Sequence, residues 1–187
     1  DTNNVYGGTY YVDSANTTRL ALSYYNSTLN NTQVVSYAIV NGQVNVSSVQ
    51  FTTVTLQGNP GDYRCSIYFN TLQNLYNILV CSNNAKDTFF IVVQSMDGTK
   101  HGSANITADN IFQVEVSPNL NYIYVLAAVG SNEILYVYSI PDGQPTLIAS
   151  VLLETSFNFP SAIFTDFEVL TLNATTSLAE EQFMDTL

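Results

Sequence analysis

Residues 117–144 read SPNLNYIYVLAAVGSNEILYVYSIPDGQ, and the alternation of apolar runs and turns in this stretch decides the fold. Ser117-Pro118 opens a short turn, because proline presets φ and cannot continue a strand ladder. Residues 122–129 are then almost wholly aromatic, β-branched or small apolar side chains, the composition of a strand. Residues 130–133 form a polar break and residues 134–140 a second β run. Asp142-Gly143 closes the phrase with a glycine able to adopt positive φ. Two β runs joined by a short polar loop describe an antiparallel hairpin.

The same phrase recurs upstream. Residues 75–82, 83–87 and 88–95 repeat strand, loop and strand and end at Asp97-Gly98; residues 19–25, 26–32 and 33–40 do so and end at Asn41-Gly42. A third strand follows each copy, and another precedes it at residues 9–13, 63–69 and 111–116. Four antiparallel strands in a repeat of roughly 45 residues are the signature of a β-propeller blade. A further copy starts at residues 162–166 and 167–173. The expectation is an all-β fold of antiparallel β-repeats, about three and a half propeller-like blades spanning about 9–56, 63–107, 111–153 and 162–176, within one domain of residues 1–176. A β-sandwich is the alternative for short strands separated by frequent turns. Residues 177–187 read as an acidic tail, either helical behind a Ser177/Glu180 capping box or extended.

Within residues 117–144, Tyr124-Val125, Gly130-Ser131-Asn132 and Asp142-Gly143 follow the Ser-Pro turn in a fixed order. In that order and spacing the stretch resembles the extracellular β-propeller repeats of surface proteins named after their Tyr-Val-Thr-Asn core. Leu126 and Ala127 stand where that family has Thr-Asn, and the earlier copies share the outline only. The resemblance implies extracellular scaffolding or recognition and carries no catalytic residue over to this chain.

Composition bounds the partners. The 187 residues are 46% hydrophobic, which supports a core and excludes intrinsic disorder, yet only 10% are charged. Fifteen acidic against four basic side chains give a net charge of −11, so a Lys/Arg footprint for nucleic acid is missing. No apolar run approaches the roughly 18–20 residues of a membrane-spanning helix, so no such span is expected.

Compartment is suggested by three features. The chain opens at Asp1 without Met, which fits removal of a secretion signal. Asn-x-Ser/Thr sequons stand at Asn16, Asn26, Asn30, Asn45, Asn105 and Asn173, each in or beside a turn or strand edge where a glycan would be solvated. Asn26 and Asn30, in an uncharged loop, are the leading candidates. Cys65 and Cys81 flank a turn centred on Gln73. Antiparallel partners have a constant index sum, and the sum that centres the turn there sets Cys65 opposite Cys81, the register of a cross-strand disulfide. The competing reading is a pair of buried free thiols.

Candidate chemistry is sparse. His101, the single histidine, follows Asp97-Gly98 and reads as an exposed loop residue, and the acidic pair Glu180 and Glu181 reads as a solvated tail. Asp13, Asp62, Asp97, Asp109 and Asp142 sit in turns and raise the question of calcium, but aspartate in a turn commonly bonds its own backbone. Gly7-Gly8 and Gly58-Asn59-Pro60-Gly61 precede strands, so they lack the helix N-terminus of a phosphate loop. Tyr136 and Tyr138 alternate on one strand face, which suits a packed core with accessible hydroxyls. The expectation is therefore a non-enzymatic chain without cofactor or metal: an extracellular structural or adhesive glycoprotein subunit that assembles through β-strand edges, by self-association or with other surface proteins. The alternative is a secreted recognition propeller for a glycan or peptide ligand.

Overall fold

The computed structural model describes residues 4–29, 31–54, 64–68, 76–82, 88–95, 101–117, 121–153, 162–163, 168–173 and 178–183. Its strands follow one another as antiparallel meanders. The first sheet holds β1 (Asn4–Val12), β2 (Thr18–Asn26), β3 (Asn31–Val40) and β4 (Gln43–Thr53), paired in sequence order. The second holds β5 (Arg64–Tyr68), β6 (Tyr76–Ser82), β7 (Phe89–Ser95) and β8 (His101–Ile106), again in order. The third holds β9 (Asn110–Val116), β10 (Tyr122–Val129), β11 (Asn132–Ser139) and β12 (Thr146–Leu152). Among the described residues the fourth holds β13 (Ala162–Ile163), β14 (Glu168–Asn173) and β15 (Leu178–Phe183).

The first three sheets stack in chain order, because apolar residues line the faces that meet. Tyr11, Ala21, Val34 and Val54 of the first pack with Cys65, Leu79, Cys81 and Val92 of the second. The opposite face of the second, with Ile78, Val80, Ile91 and Val93, meets Val114, Ile123, Val125 and Tyr138 of the third. The third sheet's other face carries the buried cluster Tyr124, Leu126, Leu135, Val137 and Leu153, and β13 lies against β9 and β10. The first strands β1, β5, β9 and β13 neighbour one another through the series, which leaves β4, β8 and β12 as the outer strands. This is the propeller-like arrangement of blades expected from the repeats. A sandwich would instead bury one face of each of two sheets.

Turn chemistry explains the hairpins. Asn41 and Gly42 both have positive φ (52° and 75°), the two-residue turn that matches strand twist between β3 and β4. Asp142-Gly143 differs, lying in a short 3-10 turn over Pro141–Gly143, with Gly143 at φ 82°. His101 is the first residue of β8, opposite Gln94, and so is not the loop residue expected. Leu178–Phe183, read from sequence as a tail, is an extended strand along β14; the cross-strand ladder replaces the helical option. Glu168–Asn173 is flanked by β13 and β15, so the last long β run is the middle of a sheet instead of an open edge.

Candidate functional site

Cys65 and Cys81 are paired across β5 and β6 in the register the index sum requires, and their sulfurs form a disulfide. Both side chains are fully buried in the cluster between the first and second sheets, so the bond joins an inner strand to its neighbour inside a blade interface.

The sequons separate by environment. Asn16, Asn45 and Asn105 are exposed, at the β1–β2 turn, on β4 and on β8. Asn16 has φ 59°, in the left-handed region that asparagine tolerates. Asn26 is only half-exposed and already engaged: its Oδ1 accepts from the Thr28 and Leu29 amides at 3.1 Å, and its Nδ2 donates to Gln33 Oε1 at 3.3 Å. One of the two leading candidates thus has its reactive nitrogen in a hydrogen bond. Asn30 lies outside the described residues, and Asn173 is placed on β14 by its backbone.

Two of the acidic turn residues, Asp13 and Asp109, bond backbone. Asp13 Oδ1 accepts from the Ala15 and Thr17 amides at 2.9 Å, and Asp109 Oδ2 accepts from Gly130 N at 2.6 Å. Asp62 and Asp97 lie outside the described residues. No group of three His, Cys, Asp or Glu side chains gathers among the described residues. Glu180 and Glu181 are successive residues of β15, placed opposite Thr171 and Leu170.

Arg19, which the sequence did not single out, is buried on the side facing the second sheet. It donates from Nε to Ser36 Oγ (3.2 Å) and from Nη2 to the Ser36 and Ser48 carbonyls (3.2 and 2.7 Å), with Asp13 Oδ2 at 3.8 Å from Nη1. Its signal was a lone cation in the alternating strand TRLALS. The cluster ties β2, β3 and β4 together.

Tyr136 and Tyr138 connect blades. Their rings lie 6.4 Å apart in the second–third interface, and their hydroxyls donate to Thr107 O (2.7 Å) and Asn105 O (3.1 Å) across it. Burial, with Tyr136 beside it, pushes the Tyr138 phenol up to about 12; burial and Tyr122 do the same for Tyr124. Gly102 fits the same junction: a Cβ there would stand 2.6 Å from Gly143 O, while Gln144 Nε2 donates to Ser103 O at 3.0 Å.

Two apolar surfaces are uncovered among the described residues. The outer face of the first sheet presents Tyr10 and Phe51, 63% and 60% exposed, with Val12, Val44 and Val46. Register sets Tyr10 opposite Leu20 and Phe51 opposite Val35, so this face is opposite to the one packed on the second sheet. The second surface is β12, an edge strand on which Leu147, Ile148, Val151 and Leu152 are 39–60% exposed.

No protein-family model and no curated protein sequence matches this chain. Solved structures do share its fold. Apo AztD from Citrobacter koseri matches with TM-score 0.52 and 11% identity, over 95% of this chain and 46% of that one. A chain of the Nidogen/Laminin complex matches at 0.51 and 14%, over 95% and 60%. A functionally unknown protein from Desulfotomaculum acetoxidans matches at 0.53 and 11%, over 99% and 56%. The chain spans about half the length of the proteins it matches. At these identities the likeness concerns the fold alone, and the fold is a propeller-like series of antiparallel blades.

Proposed function

We propose that the chain is a module of an extracellular structural or adhesive glycoprotein, joining other copies or other surface proteins through strand edges into a cell-surface filament or larger assembly. The observation that carries this reading is β12. It is the outermost strand of its sheet, has no charged residue, and bears exposed apolar side chains on both faces. An edge of that kind templates a further strand, because its free backbone groups gain partners while its side chains leave water. The corresponding edges β4 and β8 carry the exposed sequons Asn45 and Asn105, whereas β12 carries none. Glycans on the first two would leave β12 as the edge open to association.

The disulfide suits an oxidising compartment. No helix among the described residues is long and apolar enough to cross a membrane. The resemblance of residues 117–144 to surface-protein repeats supports the same reading. Catalysis and a cofactor have no part in it.

Negative-stain microscopy and sedimentation of the native glycoprotein test the proposal. Polymers are expected, strengthened by salt because the net charge of −11 opposes association; Ile148→Lys should disperse them. Species that never exceed a discrete small oligomer, in every salt, would sink it. The alternative, a recognition module for a glycan or peptide, draws on the fold shared with a chain of the Nidogen/Laminin complex. Selective retention of non-polymerising protein on a glycan or peptide array would favour that alternative.

A further inference from the structure

We infer that a glycan on Asn105 packs its first sugar against the ring of Phe90, so that this sequon is a carbohydrate-holding site of the second sheet and not only a point of attachment. The inference rests on the glycoprotein reading above and adds to it a protein residue that holds the sugar.

Register places the two residues together. β7 and β8 pair so that Phe90 stands directly opposite Asn105, between the pairs Phe89–Ile106 and Ile91–Ala104. Residues directly opposite one another in an antiparallel pair project from the same face, with Cβ atoms about 4.5–5.5 Å apart. Phe89, Ile91 and Ile106 belong to the buried junction with the third sheet, so Phe90 and Asn105 occupy the other face. There Phe90 is half-buried against the cluster shared with the first sheet, while Asn105, one strand further out, is exposed. The Tyr138 hydroxyl donates to the Asn105 carbonyl at 3.1 Å, which fixes the strand at the sequon. The Asn105 side-chain amide takes part in no hydrogen bond among the described residues, in contrast to that of Asn26. The other exposed sequons have no such neighbour: Asn45 is opposite Ala38, and Asn16 lies in the β1–β2 turn.

The chemistry of an N-glycan suits that ring. Its first residue, N-acetylglucosamine on the asparagine Nδ2, is a pyranose whose hydroxyls lie around the rim and whose C–H groups form an apolar face. Those C–H groups carry slight positive charge and meet the negative π face of an aromatic ring, while the contact takes apolar surface of both out of water. A ring one cross-strand step away is within reach of a sugar carried on an asparagine side chain. Strand and ring are already ordered, so only the sugar loses freedom on packing. Held at its first residue, the glycan keeps a fixed place beside β8 instead of sweeping through solvent.

Thermal melting and proton NMR of the native glycoprotein test this, once peptide mapping has recorded occupancy at each sequon. In a cycle of the parent, Asn105→Gln, Phe90→Leu and the double variant, the loss caused by Phe90→Leu should be larger by roughly 2–4 °C when Asn105 carries its glycan. Trimming every glycan to its first N-acetylglucosamine should leave that difference in place. Protons of the sugar on Asn105 should lie upfield of those on Asn16 and Asn45, a ring-current shift that Phe90→Tyr keeps and Phe90→Leu removes. Should Phe90→Leu fail to fold, nuclear Overhauser contacts between the Phe90 ring and that sugar in the parent decide: their presence supports the inference and their absence overturns it. Additive melting effects, or unshifted sugar protons, at an occupied Asn105 overturn the inference and leave the glycoprotein reading intact. An empty Asn105 beside an occupied Asn16 or Asn45 does the same. A chain with no glycan on any sequon ends both.

Discussion

Removing the Cys65–Cys81 disulfide has a cost that divides into two separately measurable parts. The bond spans 16 positions, and in the chain-entropy account a loop of that length restrains the unfolded chain by about 3 kcal/mol. Both cysteines are fully buried where the first and second sheets meet, so replacing them with alanine also deletes two packed sulfurs. Each is comparable to a methylene, or about 0.8 kcal/mol. Reduction of the parent protein keeps the sulfurs and loses the restraint, whereas Cys65→Ala/Cys81→Ala loses both. The expected losses are about 3 kcal/mol and about 4–5 kcal/mol. At roughly 2–4 °C per kcal/mol for a chain of this size, the double variant should melt roughly 10–15 °C below the parent, with the reduced parent between them. Circular dichroism melts with and without reductant, alongside thiol titration, measure this. A double variant within about 2 °C of the oxidised parent, or two free thiols in the native parent, would refute the reasoning.

Gly102→Ala should destabilise the chain by about 1–3 kcal/mol, because the new methyl group meets the backbone carbonyl of Gly143, which has no rotamer to escape into; an unchanged melting temperature would show that the second–third junction is looser than described. Alkaline pH should weaken the fold. Burial holds the Tyr124 and Tyr138 phenols near 12 against an ordinary 10.0, so the folded chain retains protons that the unfolded chain releases, and their contribution, intact below pH 10, is lost as pH climbs toward 12. Tyrosinate absorbance rising fully near pH 10 in a chain that stays folded would contradict this. In intact glycoprotein, peptide mapping should find glycan on Asn16, Asn45 and Asn105 at higher occupancy than on Asn26, whose Nδ2 is engaged by Gln33; the reverse order would mean that this hydrogen bond forms only after modification is complete.

Much of the architecture is legible because its signals are local. Asn41-Gly42 marks a turn through backbone sterics, and Cys65 and Cys81 fix a register through a constant index sum. The stacking order is harder to read. On β10 the five residues from Ile123 to Ala127 are all buried, so the period-two alternation that reveals a solvent face is missing, and the sequence does not say which face meets which neighbour. Leu178–Phe183 shows the same limit in another form. Ser177 and Glu180 suggest a helix start, but six residues lying opposite β14 gain a cross-strand ladder that a short isolated helix cannot match. Arg19 was hidden because its three carbonyl and hydroxyl acceptors come from residues 17 and 29 positions away.

The sparse charge of the chain and its exposed edges belong to one physical problem. Soluble sheet proteins usually blunt an edge with lysine or proline, and this chain has only four basic residues to spend on fifteen strands among its described residues. One of the four, Arg19, is buried in a polar cluster and shields no edge. In the proposed function, protection of β4 and β8 comes from neutral chemistry, and a glycan on Asn45 or Asn105 would supply it by bulk and hydration in place of charge. β12 has neither device. Its Pro145 precedes the strand and guards only its start, while TLIASVL runs uncharged to Leu152. Removing the sequons on the protected edges should therefore convert them to the behaviour of β12. Asn45→Gln/Asn105→Gln, chosen to keep the amide while abolishing the sequon, is expected to increase association of the native protein, and Ile148→Lys should no longer be sufficient to disperse it. If the double variant associates no more than its parent, the edges are protected by their twist and surroundings, and the division of labour between glycan and bare edge does not hold.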